Sequence, residues 1–132
     1  MNTEIMPSTI APPAANYAHA VLSANAAGIL HVSGQVAARL DGTIPDDVAE
    51  QAAVIWSNIA AILAEAGMQM NDIVSITTYV VVDFMADLPK VMAARDAAMA
   101  GHRAASTLVA VPALARPAWK MEVAIVAAAG EG

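Results

Sequence analysis

A single carboxylate interrupts one of the most apolar stretches of the chain. Glu122 lies within the run WKMEVAIVAA, residues 119–128. A carboxylate that is buried without a partner costs several kcal/mol, so this side chain must be solvated, paired or functional. Three arrangements remain open: Glu122 faces water from an edge strand, it pairs with Lys120 or Arg116, or it acts as a general base in a cleft.

A second polar feature follows an apolar run nearer the N-terminus. Ser33 and Gly34 end the segment ILHVSG, residues 29–34. In one interpretation Gly34 supplies an unusual backbone angle at the end of a strand. In the other, the Ser33 hydroxyl and a backbone amide bind the carboxylate or carbonyl of a ligand. Tyr17 and His19 share one side of an earlier strand, where packing and a cleft are both consistent with their types.

Two cations follow the end of a predicted helix, where they complement the helix dipole without any ligand. They are His102 and Arg103. The three histidines fall in separate elements, and the chain has no cysteine. Gly-rich phosphate loops, HExxH spacing and a Gly-x-Ser-x-Gly elbow are absent from the sequence. We therefore expect no metal site.

The charge and composition limit the classes of partner that the chain can bind. The net charge is -6 and the few Lys and Arg are scattered, which argues against a nucleic-acid partner. No apolar run reaches the roughly 18 residues of a membrane span without a charge, Pro or Gly, so no membrane partner is expected. Hydrophobic residues make up 58% of the chain, largely Ala and Val. This excess predicts a very compact core or an interface with further copies of the chain, and the interface is favoured. Because the N-terminus lacks the pattern of a signal peptide, the expected compartment is the cytoplasm.

The elements that must position these residues can be read from the periodicity. The chain, 1–132, is predicted to be one domain in which residues 1–16, with three prolines, form an extended lead-in. The segments 17–24 and 29–34 alternate or are continuously apolar, and they predict a hairpin of two strands. Asp47 and Glu50 then resemble a capping box that starts a helix, and Gly67 ends it.

The second half of the chain predicts a strand, a helix and two further strands. Residues 72–82, DIVSITTYVVV, predict a long buried strand, and Asp87 is expected to cap a second helix that Gly101 closes. Two more strands follow at 106–111 and 119–128. The order ββ-α-β-α-ββ predicts an α+β sheet with both helices on one face, and the other face is expected to be covered by another copy of the chain.

Several segments together resemble the RidA (YjgF, UK114) superfamily. They are NYAHAV at 16–21, ILHVSGQV at 29–36, NIAAILAEAGMQMNDIVSITTYV at 58–80, and STLVAV followed by MEVAIVA. The resemblance runs from about residue 12 to residue 128. It implies a chorismate-mutase-like fold and a homotrimer whose sheets form a barrel, with a small-molecule cleft at each subunit boundary. It also implies the hydrolysis of reactive enamines and imines, such as 2-aminoacrylate, to a 2-oxo acid and ammonia, without a cofactor.

The resemblance assigns roles to individual positions. Tyr17 is similar to a Tyr that lines the cleft, Ser33 and Gly34 to the "SGQ" pair, and Glu122 to a carboxylate that assists the attacking water. The family's carboxylate-binding Arg has no counterpart, because Ser106 or a neighbouring residue stands at its position.

The missing Arg alters the expected ligand. Arg103 lies about three residues before the aligned position, and Leu88 belongs to a more apolar lining. A hydroxyl offers one neutral hydrogen bond where a guanidinium offers a charge-assisted pair, so the classical 2-imino acid deaminase activity is in doubt. The chain therefore resembles a branch of the superfamily that lacks this Arg.

Two functions follow from these residues. The first is a hydrolase of a small enamine, imine or related C–N compound, with Glu122 as the base and Ser33 and Ser106 orienting the substrate. The second is a trimer that binds a small metabolite in the same cleft without converting it. An RNA-cleaving role is disfavoured by the acidic charge.

Overall fold

Two helices pack against one face of a mixed sheet in the computed structural model, which describes residues 1–130. The helices are α1, Val48–Glu65, and α2, Leu88–Met99. The strands are β1, Asn2–Ile5; β2, Ala20–Ser23; β3, Gly28–Gln35; β4, Ile73–Val81; β5, Ala105–Val111; and β6, Met121–Ala129. Short 3-10 helices precede β4 at Met70–Asp72 and follow it at Val82–Asp87. The α+β class and the placement of both helices on one face are thus as predicted.

The main sheet has the strand order β3-β6-β4-β5. Strands β3 and β4 both pair antiparallel with β6, whereas β4 and β5 run parallel. The parallel pair is connected through α2, as parallel strands require a crossover. Strands β3 and β5 therefore lie at opposite edges of the four-stranded sheet, and this separation decides where the candidate residues meet.

The two faces of the sheet differ in what covers them. Along β6 the alternate residues Met121, Val123 and Ile125 are buried in the core against the helices. The residues between them point to the opposite face, because side chains alternate along a strand. Ala124 and Val126 on that face are only partly buried in a single chain. The core thus lies between the sheet and the helices, and the second face carries no helix.

The first helix begins and ends where the sequence predicts. The Asp47 carboxylate accepts a hydrogen bond of 3.1 Å from the backbone N–H of Glu50, which satisfies one of the free amides of the first turn. Gly67, with φ of 72°, follows the last turn. The second helix differs: Asp87 occupies the N-cap position, but its side chain makes no capping hydrogen bond. Ala100, with φ of 48°, already leaves the helical conformation before Gly101.

The N-terminal region corrects two expectations. The predicted lead-in, 1–16, contains a strand, because β1 pairs antiparallel with β2 in a separate two-stranded sheet. The predicted hairpin between residues 17–24 and 29–34 is wrong, since β2 pairs with β1 and β3 pairs with β6. The intervening turn explains the difference: Asn25 is left-handed, with φ of 56°, and the backbone N–H of Ala27 donates to the carbonyl of Ala129 at 2.8 Å. The chain is therefore directed onto β6. Among residues 1–130 there is no helix with the length and hydropathy needed to span a membrane.

Candidate active site

Glu122 lies on the face of the sheet that carries no helix. Its neighbours along β6, Met121 and Val123, are fully buried in the core, so Glu122 projects to the other side, where it is half-buried. In the antiparallel ladder its direct partner on β4 is Tyr79. Residues directly opposite each other in such a ladder have their Cβ atoms about 5 Å apart, so the Tyr79 and Glu122 side chains leave the sheet side by side.

On its other side Glu122 contacts the backbone of β3 at Gly34. A Cβ atom added to Gly34 would lie 2.6 Å from the carboxyl carbon of Glu122, a distance that real Cβ contacts do not reach. The register shifts here: Val32 pairs with Ile125 and Gln35 with Val123, so two residues of β3 face one residue of β6. Such a bulge re-aims the strand and is common beside active sites. Gly34 therefore creates the space in which the carboxylate lies.

The structure rules out one of the two interpretations of Gly34, an unusual backbone angle, and leaves ligand binding at Ser33 as a prediction. The glycines with positive φ among the described residues are Gly42, Gly67 and Gly101, so Gly34 does not need a left-handed backbone. Its requirement is for space beside Glu122. The neighbouring Ser33 is exposed, and its carbonyl accepts a hydrogen bond of 2.9 Å from the side chain of Gln35, which fixes the bulge. The structure thus brings three predicted residues together: Ser33, Gly34 and Glu122.

The expected cation partners of Glu122 are engaged elsewhere. The Lys120 ammonium hydrogen-bonds the carbonyl of Asp46 and lies 4.7 Å from the centre of the Phe84 ring. The Arg116 guanidinium lies over the ring of Trp119, at 5.3 Å. The ion pairs formed by residues 1–130 do not include Glu122. Of the three arrangements that the sequence left open, the ion pair with Lys120 or Arg116 is not the one formed.

A second group of polar residues gathers at the start of β5. Ser106 pairs with Ile76 of β4, a buried core residue, and it therefore faces the helices rather than the side of Glu122. The guanidinium of Arg95 from α2 reaches this point, with Nη1 3.4 Å from the Ser106 hydroxyl oxygen. Arg95 is only 5% exposed. No local pattern of the sequence predicts this contact, although an Arg on the apolar side of a helix is a visible sign of it.

The start of β5 also brings in the segment that contains Tyr17. The backbone N–H of Ala18 donates to the carbonyl of Ala104 at 3.0 Å, and Ala18 forms an isolated parallel bridge with Ala105. Tyr17 is half-buried beside this bridge, and its hydroxyl accepts a hydrogen bond of 3.4 Å from the backbone N–H of Ala14. Tyr17 therefore belongs to the group at β5 and not to the group at β3.

Two further predicted residues have other contacts. Arg103 forms a bidentate pair with Glu4, at 3.1 and 2.7 Å, and the hydrogen bonds and charge of Glu4 raise the pKa of the Arg103 guanidinium. Leu88 begins α2 and packs against the hydrophobic core. Their roles in ligand binding stay predictions, because the structure gives both side chains a partner within the chain.

The two groups of residues do not meet within one chain. Glu122 and Gly34 lie on β6 and the edge strand β3, whereas Ser106 and Arg95 lie at the opposite edge, on β5 and α2. Two strand spacings, about 10 Å, separate the strands of Glu122 and Ser106, and the side chains point to opposite faces. The described residues form three concavities of about 970, 460 and 400 Å³, and residues of neither group line them.

The histidines do not form a metal site among residues 1–130. His19 and His102 each bond a backbone carbonyl, of Ala11 at 2.7 Å and of Ile73 at 2.8 Å, and His31 is exposed on β3.

Comparisons with known proteins place this architecture in a family. The family model described as Endoribonuclease L-PSP matches residues 8–129. A crystal structure of the Rid-family protein YyfB from Yersinia pestis is 30% identical, with a TM-score of 0.87 over 96% of this chain and 98% of that one. A candidate endoribonuclease from Thermotoga maritima is 27% identical, with a TM-score of 0.71 over 96% of this chain and 93% of that one.

A curated relative matches a shorter region. The RutC family protein YjgH of Escherichia coli is 41% identical over 51 residues, and the match covers 39% of this chain and 39% of the relative. The family model, in contrast, spans nearly all the described strands and helices, including both groups of candidate residues. The chain therefore belongs to the RidA (YjgF) superfamily, to which the Endoribonuclease L-PSP model corresponds.

Proposed function

We propose that the protein is a cytoplasmic, homotrimeric hydrolase that acts on a small enamine, imine or related C–N compound in a cleft between subunits, without a cofactor. The observation that carries the proposal is the Glu122 carboxylate on an otherwise apolar sheet face, with Gly34 leaving room for it. A carboxylate that is half-buried and outside any ion pair of the described residues is available to take a proton from water.

The proposed reaction needs only water and the imine. Glu122 accepts a proton as the water oxygen attacks the imine carbon, and the electron pair of the C=N bond moves to nitrogen, which takes up a proton. Glu122 returns its proton for this step and then carries the hydroxyl proton of the resulting carbinolamine to the amine nitrogen. The C–N bond breaks, ammonia leaves, and the C=O bond forms. An enamine such as 2-aminoacrylate enters after its tautomerisation to the imine. The exposed hydroxyl of Ser33 and the amides of the bulge supply hydrogen-bond donors beside the carboxylate.

The separation of the two groups supports a cleft made by two chains. Strands β3 and β5 are opposite edges of one sheet, so the β5 edge of one copy can approach the β3 edge of the next when copies follow each other around an axis. Such packing also covers the exposed apolar residues of these strands, among them Ile29, Leu108 and Val109. Tyr17, Ser106 and Arg103 would then reach the cleft from one chain, and Ser33, Gly34 and Glu122 from its neighbour.

A second candidate is a trimer that binds a metabolite without converting it. The observation that favours it is the hydroxyl of Ser106 where the resemblance implies a strand guanidinium. RNA cleavage, which the names of some relatives mention, has less support in this chain. The net charge is -6, and among the cations Arg95 and Arg103 are engaged by Asp96 and Glu4.

Ammonia release tests the proposal. Imines of 2-oxo acids of increasing size are generated in situ by an amino-acid oxidase, and 2-aminoacrylate is included. Wild type should accelerate ammonia release, and Glu122→Gln should lose at least about 100-fold of the catalysed rate, as expected for a general base. Glu65→Gln, at an exposed carboxylate at the end of α1, is the matched control and should behave as wild type.

Each result selects one function. Equal rates for wild type and Glu122→Gln would remove Glu122 from the mechanism. Saturable binding of a 2-oxo acid with no accelerated release from any imine would establish the binding module. Cleavage of single-stranded RNA by highly purified protein, lost in Glu122→Gln, would instead favour the ribonuclease.

A further inference from the structure

A concavity of about 460 Å³ lies where β4 and β5 end and β6 begins. Its walls come from two segments of one chain, 81–84 and 112–119, so it is complete without another copy. Proteins bind small molecules in pockets of this size. Two rings, one aliphatic side chain and two charged groups are among its lining residues: Phe84, Trp119, Leu114, Asp83 and Arg116.

The loop that forms one wall of this concavity has a fixed backbone. The N–H of Trp119 donates to the carbonyl of Arg116 at 3.0 Å, which closes a turn. From the core, the amide of the buried Gln51 donates to the carbonyl of Ala118 at 2.9 Å. Two prolines within 112–119 restrict the backbone further. Because the wall is already ordered, a ligand would not have to pay for ordering it.

The two charged groups of the concavity have no ion-pair partner within residues 1–130. The ion pairs of this part of the chain include neither Asp83 nor Arg116, and both residues are exposed. A nearby cation, Lys120, hydrogen-bonds the carbonyl of Asp46 instead. The Arg116 guanidinium lies over the Trp119 ring at 5.3 Å, and a guanidinium with its face on a ring keeps its in-plane N–H donors for other groups. A donor and an acceptor of opposite charge thus line one concavity.

Every other described residue of the lining is apolar, and the two rings and Leu114 are half-buried. A ligand that matches this surface has an anionic end, a cationic end and an apolar body. A simple carboxylic acid would leave the Asp83 carboxylate without a partner, whereas a zwitterion satisfies both charges. We infer that this concavity binds a free amino acid with an apolar side chain. Its carboxylate accepts from Arg116, its ammonium donates to Asp83, and its side chain packs against the rings.

This site is separate from the cleft of the proposed function, because Glu122 and Gly34 do not line it. It can be observed through Trp119, since the other tryptophan, Trp56, is buried in the core. In full-length Trp56→Phe protein, the emission of Trp119 is followed while L-leucine, N-acetyl-L-leucine or L-leucinamide is added. The two derivatives lack the ammonium and the carboxylate, respectively. We expect saturable binding of leucine and binding of each derivative weaker by at least about fivefold.

Two variants assign the ends of the ligand. Arg116→Gln should weaken leucine binding to the level of leucinamide and leave leucinamide within about twofold, because the amide has no carboxylate to lose. Asp83→Asn should do the same for leucine and N-acetyl-leucine. Arg39→Gln, at an exposed guanidinium outside this concavity, is the matched control and should bind leucine as the parent does. If Trp56→Phe does not fold, the indole N–H resonance of Trp119 in the unaltered chain gives the same titrations.

Three results would overturn the inference. The first is the absence of saturable leucine binding. The second is equal weakening of all three probes by Arg116→Gln, which would mean that Arg116 only supports the loop. The third is loss of leucine binding in Glu122→Gln, which would place the amino acid in the cleft of the proposed function. Leucine binding that Glu122→Gln leaves unchanged would support the inference, whether or not the protein hydrolyses imines.

Discussion

The carboxylate of Glu122 occupies the space that a side chain at Gly34 would need. The two residues come from adjacent antiparallel strands, at a bulge where β3 has one residue more than β6. The carboxylate is thereby held against the backbone of β3. The proposed catalytic carboxylate therefore depends on the smallest residue of the neighbouring strand for its position.

Gly34→Ala should therefore impair the site more than it impairs the fold. The added methyl group would lie 2.6 Å from the carboxyl carbon of Glu122, so either the carboxylate rotates away or the bulge moves. We expect a loss of ammonia release of at least about tenfold and a loss of stability of about 1 to 3 kcal/mol, the usual cost of overpacking. Steady-state kinetics and chemical denaturation measure the two effects.

Two controls isolate the clash. Gly28→Ala, in the same strand, places its methyl group 3.8 Å from the nearest side-chain atom, that of Met68, and should be tolerated. In the Glu122→Ala background the clash partner is gone, so Gly34→Ala should then cost less than about 1 kcal/mol. A full cost in that background would show that position 34 needs glycine for a reason other than Glu122.

The sequence pointed to Gly34 but not to the physical reason for it. A glycine after an apolar run suggests a turn with a positive φ, whereas the structure shows an ordinary φ and a close approach between strands. That approach depends on the register between β3 and β6, which no local pattern determines. Arg95 was visible as a charge on the apolar side of a helix, yet its partner Ser106 became known only once α2 was packed on β5.

Tyr79 is the residue beside Glu122 that the sequence analysis did not select. Tyr79→Phe keeps the ring and the strand pairing but removes the hydroxyl, so stability should stay within about 1 kcal/mol of wild type. We expect ammonia release to fall severalfold, because the residue paired with Glu122 in the ladder loses its hydroxyl donor. Rates measured across a pH series for both proteins test this, and coincident profiles would reduce Tyr79 to a packing role.

The backbone that leads into β6 is held by a buried side chain of α1. Gln51 is fully buried; its amide donates to the carbonyls of Pro45 at 2.8 Å and Ala118 at 2.9 Å, and its oxygen accepts from the N–H of Lys120 at 3.1 Å. It thus fixes the backbone two residues before Glu122.

Gln51→Leu should destabilise the protein by at least about 2 kcal/mol, because it leaves buried backbone groups without partners. Asn58→Leu is the control on the same helix, since its amide makes a single exposed bond to the carbonyl of Ala38. Thermal and urea unfolding give the two values. Equal small losses of unfolding free energy for both variants would mean that water satisfies the backbone groups of Pro45, Ala118 and Lys120 in place of Gln51.

The features of the fold that depend on local sequence were predictable, whereas the pairing of strands distant in sequence was not. Helix α1 was correctly bounded by Asp47 and Gly67 because caps are local, and the long strands were evident from their β-branched residues. The partner of β2 was not predictable, because pairing with β1 or with β3 satisfies the same alternation. The left-handed Asn25 and the bond from Ala27 to β6 decided it.

The helix-free face predicts assembly, and Ala124 lies near its centre. Its neighbours in the ladder are Thr77 of β4 and, beyond it, Thr107 of β5. Ala124→Arg should place a charge in the proposed subunit contact and convert the trimer to smaller species at micromolar concentration, with loss of activity. Ala60→Arg, on the exposed side of α1, should leave both unchanged. Sedimentation velocity reports the masses, and an intact trimer in Ala124→Arg would place the contact on another surface.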